Sequence, residues 1–131
     1  MTYDLVALLD GRPSSDDLLA GLAAAGEDFG VRAVSGGAVI QLCDDEDNPL
    51  VSVESPLLVQ VPGEIARILG TAVGPVDTPT WWVEIRATAR HGARELALTY
   101  ADTLITRLGG KVWAPEGVGK VKLPSAAEGK N

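Results

Sequence analysis

The chain has very little of the chemistry that most enzymes and metal sites require. Among its 131 residues there is one cysteine and one histidine. Cys43 has no second cysteine with which to form an internal disulfide and lies in the apolar run 38–43, which indicates a buried structural thiol. His91 is the only imidazole, so any acid-base mechanism that uses histidine must use this residue.

Long apolar runs are also missing. No stretch approaches the roughly 18 to 20 apolar residues that a membrane-spanning helix needs. The N-terminus, residues 1–4, places Asp4 where a secretory signal carries positive charge. We therefore expect a soluble, cytoplasmic protein.

Basic residues are scarce in the first two-thirds of the chain. Residues 1–85 hold fourteen acids and three bases, whereas residues 86–131 hold four acids and eight bases, within a total net charge of -7. Binding to nucleic acid or to an anionic membrane needs clustered lysine and arginine, so this balance disfavours both. It favours a basic protein partner instead.

The spacing of apolar residues predicts one α+β domain over residues 1–115 and a flexible tail over residues 116–131, where periodicity ends. We expect a mainly antiparallel sheet with two or three helices packed on one face, in a ferredoxin-like variant. The predicted strands are 3–9, 31–34, 38–43, 50–54, 57–61, 81–87 and 111–113, the first of them buried on both faces. The predicted helices begin after Ser14 or Ser15, at Glu64 and at Ala93.

Trp81 and Trp82 are adjacent, so on a strand they point to opposite faces. The alternation places Trp81, Val83, Ile85 and Ala87 on a core face and Trp82, Glu84 and Arg86 on a wet face. Two alternatives remain for Trp82. It packs beneath the loop 71–80, or it anchors a partner within a polar rim formed by Glu84 and Arg86.

Four consecutive acids occupy a predicted turn between two strands: Asp44, Asp45, Glu46 and Asp47. Their spacing does not fit a metal site, because the alternating acids and the glycine of a calcium loop are missing. The run is interpreted either as a solvated hairpin tip or as a docking patch for a basic partner.

Catalytic and cofactor motifs are not recognisable. A catalytic arrangement would need His91 to meet Ser52, Ser55 or Cys43, and no nucleophile-elbow sequence surrounds these residues. The glycine pairs 36–37 and 109–110 lack the strand, loop and helix order of a phosphate site. We therefore predict a surface histidine and no catalytic residue, cofactor or metal.

The segment 80–87, the helix through Tyr100-Ala101-Asp102 and the segment 108–113 resemble small actinobacterial proteins, some of which look like immunity proteins of polymorphic toxin systems. This resemblance implies an inhibitor that covers the basic active site of a toxin. It transfers no functional residues.

The leading hypothesis is thus a non-enzymatic, acidic protein-binding domain of the immunity type. Its predicted partner-binding residues are Asp44, Asp45, Glu46, Asp47, Trp82, Glu84 and Arg86. One alternative is a small-ligand-binding or enzymatic domain whose pocket, lined by Trp82, Glu84, Arg86 and Tyr100, lies between the sheet and the long helix. Another is a homodimer in which an edge strand, Leu57 to Val61, pairs with its copy.

Overall fold

A computed structural model describes residues 2–25, 29–70, 73–115 and 117–119. Within them, eight strands form one antiparallel sheet and three α-helices pack around it, so the predicted α+β class and antiparallel sheet are confirmed. The strands are β1 Tyr3–Leu9, β2 Gly30–Val34, β3 Val39–Cys43, β4 Pro49–Glu54, β5 Leu57–Val59, β6 Thr80–Ala87, β7 Gly110–Ala114 and β8 Gly117–Gly119. The helices are α1 Ser15–Ala25, α2 Glu64–Leu69 and α3 Ala93–Leu108.

The strand order is β2-β3-β4-β6-β1-β7-β8, and β5 also pairs with β6. β4 and β5 lie one after the other along the same side of β6, since β4 pairs with residues 85–87 and β5 with residues 80–82. β1 lies between β6 and β7. The N-terminal strand is therefore held by two strands from the C-terminal half of the chain.

The first helix begins with a reciprocal cap. Ser14 Oγ accepts a hydrogen bond from the Asp17 backbone amide at 3.1 Å, and Asp17 Oδ2 accepts one from the Ser14 amide at 2.8 Å. The Ser14 amide, together with Arg107 at 2.8 Å, lowers the pKa of Asp17 to about 2. Of the two predicted caps, Ser14 is the one used.

The main core lies between the sheet and the helices α1 and α3. Odd-numbered residues of β1 and β6 face these helices, as alternation requires, and α3 supplies the residues that cover them. Tyr100, at the centre of α3, is 1 % exposed and packs against Gly21 of α1. The buried members of β1, β6, α1 and α3 are Leu5, Ala7, Leu9, Val83, Ile85, Ala87, Leu22, Ala93, Ala97, Tyr100, Ala101 and Leu104.

A second apolar cluster lies on the opposite face of the sheet. Val6 and Leu8 of β1 pack there with Trp82 of β6, and Ile65 of α2 and Val73 cover them. α2 therefore packs on the other side of the sheet from α1 and α3. β1 is buried on both faces, as predicted, because a helix layer covers one face and α2 with the segment before β6 covers the other.

The predicted wet face of β6 is corrected by this second cluster. Trp82 is only 7 % exposed, whereas Arg86, four residues further along the same face, is exposed. The face is wet only where the cover by α2 ends. Of the predicted tail, residues 116 and 120–131 lie outside the described residues, and Gly117–Gly119 form β8 against β7.

Candidate functional site: an acidic turn and the open sheet face

The turn that links β3 to β4 is held by its first acid. Asp44 Oδ1 accepts hydrogen bonds from the backbone amides of Glu46 at 2.9 Å and Asn48 at 2.8 Å, and Oδ2 accepts one from Asn48 Nδ2 at 3.2 Å. The hydrogen bond from the Asn48 backbone amide lowers the pKa of Asp44. This carboxylate is therefore committed to the geometry of the turn.

The last acid of the turn is tied to the sheet. Asp47 Oδ2 accepts a hydrogen bond from Arg32 on β2 at 2.9 Å, although the Asp47 side chain is 76 % exposed. Asp45 and Glu46 between them are exposed, and the described residues form no ion pair with them. The turn thus presents two exposed carboxylates on a backbone fixed at both ends, and Arg90 lies close enough to contribute to the lowered pKa of Asp44.

A polar row crosses the sheet from Arg32. Arg32 Nε donates to Gln41 Oε1 on β3 at 3.2 Å, and Gln41 Nε2 donates to Ser52 Oγ on β4 at 3.3 Å. Ser52 is opposite Arg86 on β6, whose Nε donates to Asp4 Oδ1 on β1 at 3.0 Å. We call the face that carries this row, on the side away from α1 and α3, the open sheet face.

Beside this row is a small hollow of about 40 Å³. Its charged lining residues are Asp4, Glu54, Glu84 and Arg86. Arg86 donates to Asp4. The carboxylates of Glu54 and Glu84 therefore share the hollow, and among the described residues no cationic side chain forms an ion pair with either of them. Like charges on neighbouring strands are mutually unfavourable, so a cation from outside would be attracted to this position.

The structure brings most of the predicted partner-binding residues onto one surface. Asp47 joins the acidic turn to the open sheet face through Arg32, and Glu84 and Arg86 lie on that face. Trp82 does not contribute to it. Its ring packs with Ile65 and Val73, which agrees with the buried alternative, so it cannot present an aromatic anchor.

Sequence reasoning missed three charged residues of this surface, namely Asp4, Arg32 and Glu54. Asp4 and Arg86 are 82 residues apart in sequence, so no local pattern could have paired them. The alternation of β2 and β4 was the available signal for Arg32 and Glu54, since it places polar side chains on one face of each strand.

The expected pocket between the sheet and the long helix is not formed by the residues proposed for it. Tyr100 lies in the main core, whereas Trp82, Glu84 and Arg86 lie on the opposite side of the sheet. Burial raises the pKa of the Tyr100 phenol, and its hydroxyl has no hydrogen-bond partner among the described residues. The sheet itself separates Tyr100 from the other three side chains.

His91 lies in a different place, an open cleft of about 790 Å³ beside the start of α3. The cleft is lined by Tyr3, Arg90, His91, Arg94 and Glu95, among others, and the Arg94 guanidinium carbon lies 4.1 Å from the Tyr3 ring centroid.

None of the three nucleophiles considered for His91 lines this cleft. Ser52 accepts from Gln41, Ser55 donates to the Ala38 carbonyl, and Cys43 is 1 % exposed, as its apolar surroundings predicted. Among the described residues, no group of three histidine, cysteine or acidic side chains is placed to hold a metal.

Comparison with known proteins adds no relative. No family model matches the chain, and neither the curated proteins nor the solved structures contain a significant match. In the described part of the chain, no helix has the length and apolar character needed to cross a membrane.

Proposed function

We propose that this chain is a non-enzymatic protein-binding domain that recognises a basic partner through the acidic turn and the open sheet face. We further propose that it acts as an immunity-type inhibitor, in which this surface covers the basic active site of a toxin. The observation that carries the proposal is the pair of exposed carboxylates, Asp45 and Glu46, which form no ion pair with the described residues and lie on a turn fixed by Asp44 and Asp47.

Preorganisation of the turn supports this proposal. A loop that must become ordered on binding loses free energy to conformational entropy, whereas this turn is already held by side-chain hydrogen bonds. The charge distribution supports it as well. A negative surface accelerates encounter with a cationic partner and discriminates against acidic ones.

The hollow next to the polar row supports a more specific contact. Glu54 and Glu84 line it together, and a lysine or arginine of the partner would relieve their mutual repulsion. The proposed contact set is therefore Asp45, Glu46, Asp47, Glu54 and Glu84, with Arg86 held against Asp4.

We also propose that the architecture is a ferredoxin-like variant and that the protein acts in the cytoplasm. The order β7-β1-β6-β4 supports the first proposal, because α1 leads from β1 towards β4 and α3 joins β6 to β7. The β2-β3 hairpin would then be an insertion that widens the sheet. The resemblance to actinobacterial immunity proteins supports the second.

The test compares two charge reversals that alter net charge equally. Glu46→Lys changes the acidic turn, and Asp77→Lys changes an exposed acid outside it. Each variant and the unaltered chain would be immobilised, a partner captured from the source cells and identified, and its association rate measured with the purified protein over a salt series.

We expect the captured partner to be a basic protein. Its association rate should fall several-fold with Glu46→Lys and depend less on salt. Asp77→Lys should leave the association rate unchanged. Failure to retain any basic protein would remove the proposal. Equal effects of the two variants would also remove it, because they would show a response to net charge alone.

The cleft beside α3 favours a second candidate function, the binding of a small anion. Arg90, His91 and Arg94 line it, and α3 begins at Ala93 after the N-cap Gly92, which has no side chain to cap the first amides. Inorganic pyrophosphate should then raise the melting temperature, and Arg90→Ala should abolish the rise. A flat response to pyrophosphate would exclude this candidate.

A further inference from the structure

β5 has an unpaired edge. One side of this strand pairs with residues 80–82 of β6. On the other side, β3 ends its pairing with β4 at the Val39–Glu54 pair, before β5 begins. In the described residues, no strand lies along that outer side, so its backbone N–H and C=O groups are available to another strand.

The same segment concentrates exposed apolar side chains. Six large apolar residues are exposed in the described part of the chain, and four of them fall between residues 57 and 68. They are Leu57 at 62 %, Leu58 at 41 %, Val61 at 61 % and Ile68 at 51 %. Because neighbouring residues of a strand point to opposite faces, Leu57 and Leu58 flank the free edge on both faces of the sheet, and a strand paired along this edge would cover part of each.

Charge also distinguishes this edge. Monomeric proteins protect sheet edges with charged side chains, and the edge strand β2 carries Arg32 in this way. Residues 57–61 have no charge. The acidic turn lies at the other end of the sheet. It follows β3 near the Val51–Ala87 pair, at the end of β6, whereas β5 pairs with the start of β6. A second copy can therefore approach β5 without meeting the acidic turn.

Prolines limit the length of this edge. Pro56 and Pro62 stand on either side of the five residues 57–61, of which Leu57–Val59 form β5 and residues 60–61 would extend the strand on pairing. Proline has no backbone N–H and cannot extend a strand pair, so a partner strand would be confined to these five residues. A segment of this kind can pair with an antiparallel copy of itself, because a two-fold contact uses the same residues of both chains and leaves no further edge at the contact.

We propose that two copies of the chain form a symmetric dimer in which residues 57–61 pair antiparallel with the same residues of the second copy. The two-fold axis passes beside Val59, which places Leu57 of each copy opposite Val61 of the other. The pairing joins two eight-stranded sheets into one and leaves both acidic turns exposed at the outer ends.

The first test uses opposed charges. Leu57→Glu/Val61→Glu puts carboxylates opposite each other twice in the dimer, although in the monomer both positions are more than half exposed. Sedimentation should show a dimer for the unaltered chain and dissociation that is stronger by about tenfold or more for this variant. Leu57→Lys/Val61→Lys should behave in the same way, and a mixture of the two variants should form a heterodimer.

The matched control is Leu19→Glu/Val31→Glu, which alters positions exposed by 57 % and 56 % on α1 and on the edge strand β2. It should remain dimeric. The proposal would be overturned if the unaltered chain is a monomer. It would also be overturned if the unaltered chain is a dimer and only the control substitutions dissociate it. Circular dichroism and the melting temperature would verify that each variant is folded, so that dissociation is not attributed to unfolding.

The second test uses crosslinking at the proposed axis. Residues that face each other across antiparallel strands have Cα atoms about 4.5 to 5.5 Å apart, within the range that a disulfide spans. Val59→Cys should therefore form an intermolecular disulfide under mild oxidation, while Val31→Cys should not. Cys43 is 1 % exposed and does not compete. Equal crosslinking of the two variants would contradict the register.

Discussion

The contact between α1 and α3 depends on a glycine, and Gly21→Ala tests it. Within a helix, alanine is more favourable than glycine by about 1 kcal/mol, so secondary structure alone predicts that this change stabilises the protein. A Cβ at residue 21 would, however, lie 2.5 Å from Cε1 and 2.6 Å from Cδ1 of Tyr100. The ring is 1 % exposed and cannot move aside without disturbing the core.

The magnitude follows from the displacement. Carbon atoms pack at about 3.5 to 4.0 Å, so α1 would have to move by about 1 Å from α3. Overpacking of this kind costs about 1 to 3 kcal/mol. Because the overlap involves two ring atoms, we expect a cost in the upper part of this range, about 2 to 3 kcal/mol. After subtraction of the gain of about 1 kcal/mol from alanine in a helix, the net loss in unfolding free energy is about 1 to 2 kcal/mol, or about 4 to 8 °C in melting temperature.

Urea denaturation of four variants measures this effect. Ala23→Gly, at an exposed position of the same helix, gives the intrinsic cost of glycine in α1. Tyr100→Leu and its combination with Gly21→Ala complete a double-mutant cycle, in which removing the ring should remove the penalty at residue 21. A Gly21→Ala variant as stable as the unaltered chain, or more stable, would refute the close approach of the two helices.

Three further changes have expected outcomes. Because the pKa of Asp17 is lowered to about 2, its stabilising contribution is complete above its ordinary value of 3.8 and is lost as pH falls through about 2. The difference in urea midpoint between the unaltered chain and Asp17→Asn should thus shrink below about pH 4 and vanish only below pH 2, with Asp16→Asn as the charge control. Gly110→Ala should destabilise the protein by more than about 3 kcal/mol in thermal denaturation, because the φ angle of Gly110 is 130° and the new Cβ would overlap the carbonyl oxygen of Leu8 on β1. Gly30→Ala is the control and should have little effect, because a Cβ there would face open space. Tyr100→Phe should raise the unfolding free energy measured in urea by about 1 kcal/mol, because the buried hydroxyl has no hydrogen-bond partner among the described residues. A loss of stability would show that the hydroxyl does have a hydrogen-bond partner.

The candidate site was predictable only in part. Four consecutive acids were visible in the sequence as one patch, but the structure gives them different roles. Asp44 holds the turn, Asp47 binds Arg32, and Asp45 and Glu46 remain available. The contribution of Asp44 was local, since an aspartate that accepts from amides two and four residues later is a common turn arrangement. The contact with Arg32, fifteen residues earlier, required the pairing of β2 with β3.

The sequence by itself determined the local elements of this protein. A short apolar run closed by a turn located β1 at residues 3–9, Gly70 ended α2 at Leu69, and Ser14 capped α1, because these signals act between residues a few positions apart. Tertiary structure alone decided what covers each face of the sheet. The burial of Trp82 beneath Ile65 and Val73 depends on where α2 packs, and the pairing of Asp4 with Arg86 depends on strands distant in sequence. Alternation divides a strand into two faces, but only the packed neighbours determine whether each face meets water or core.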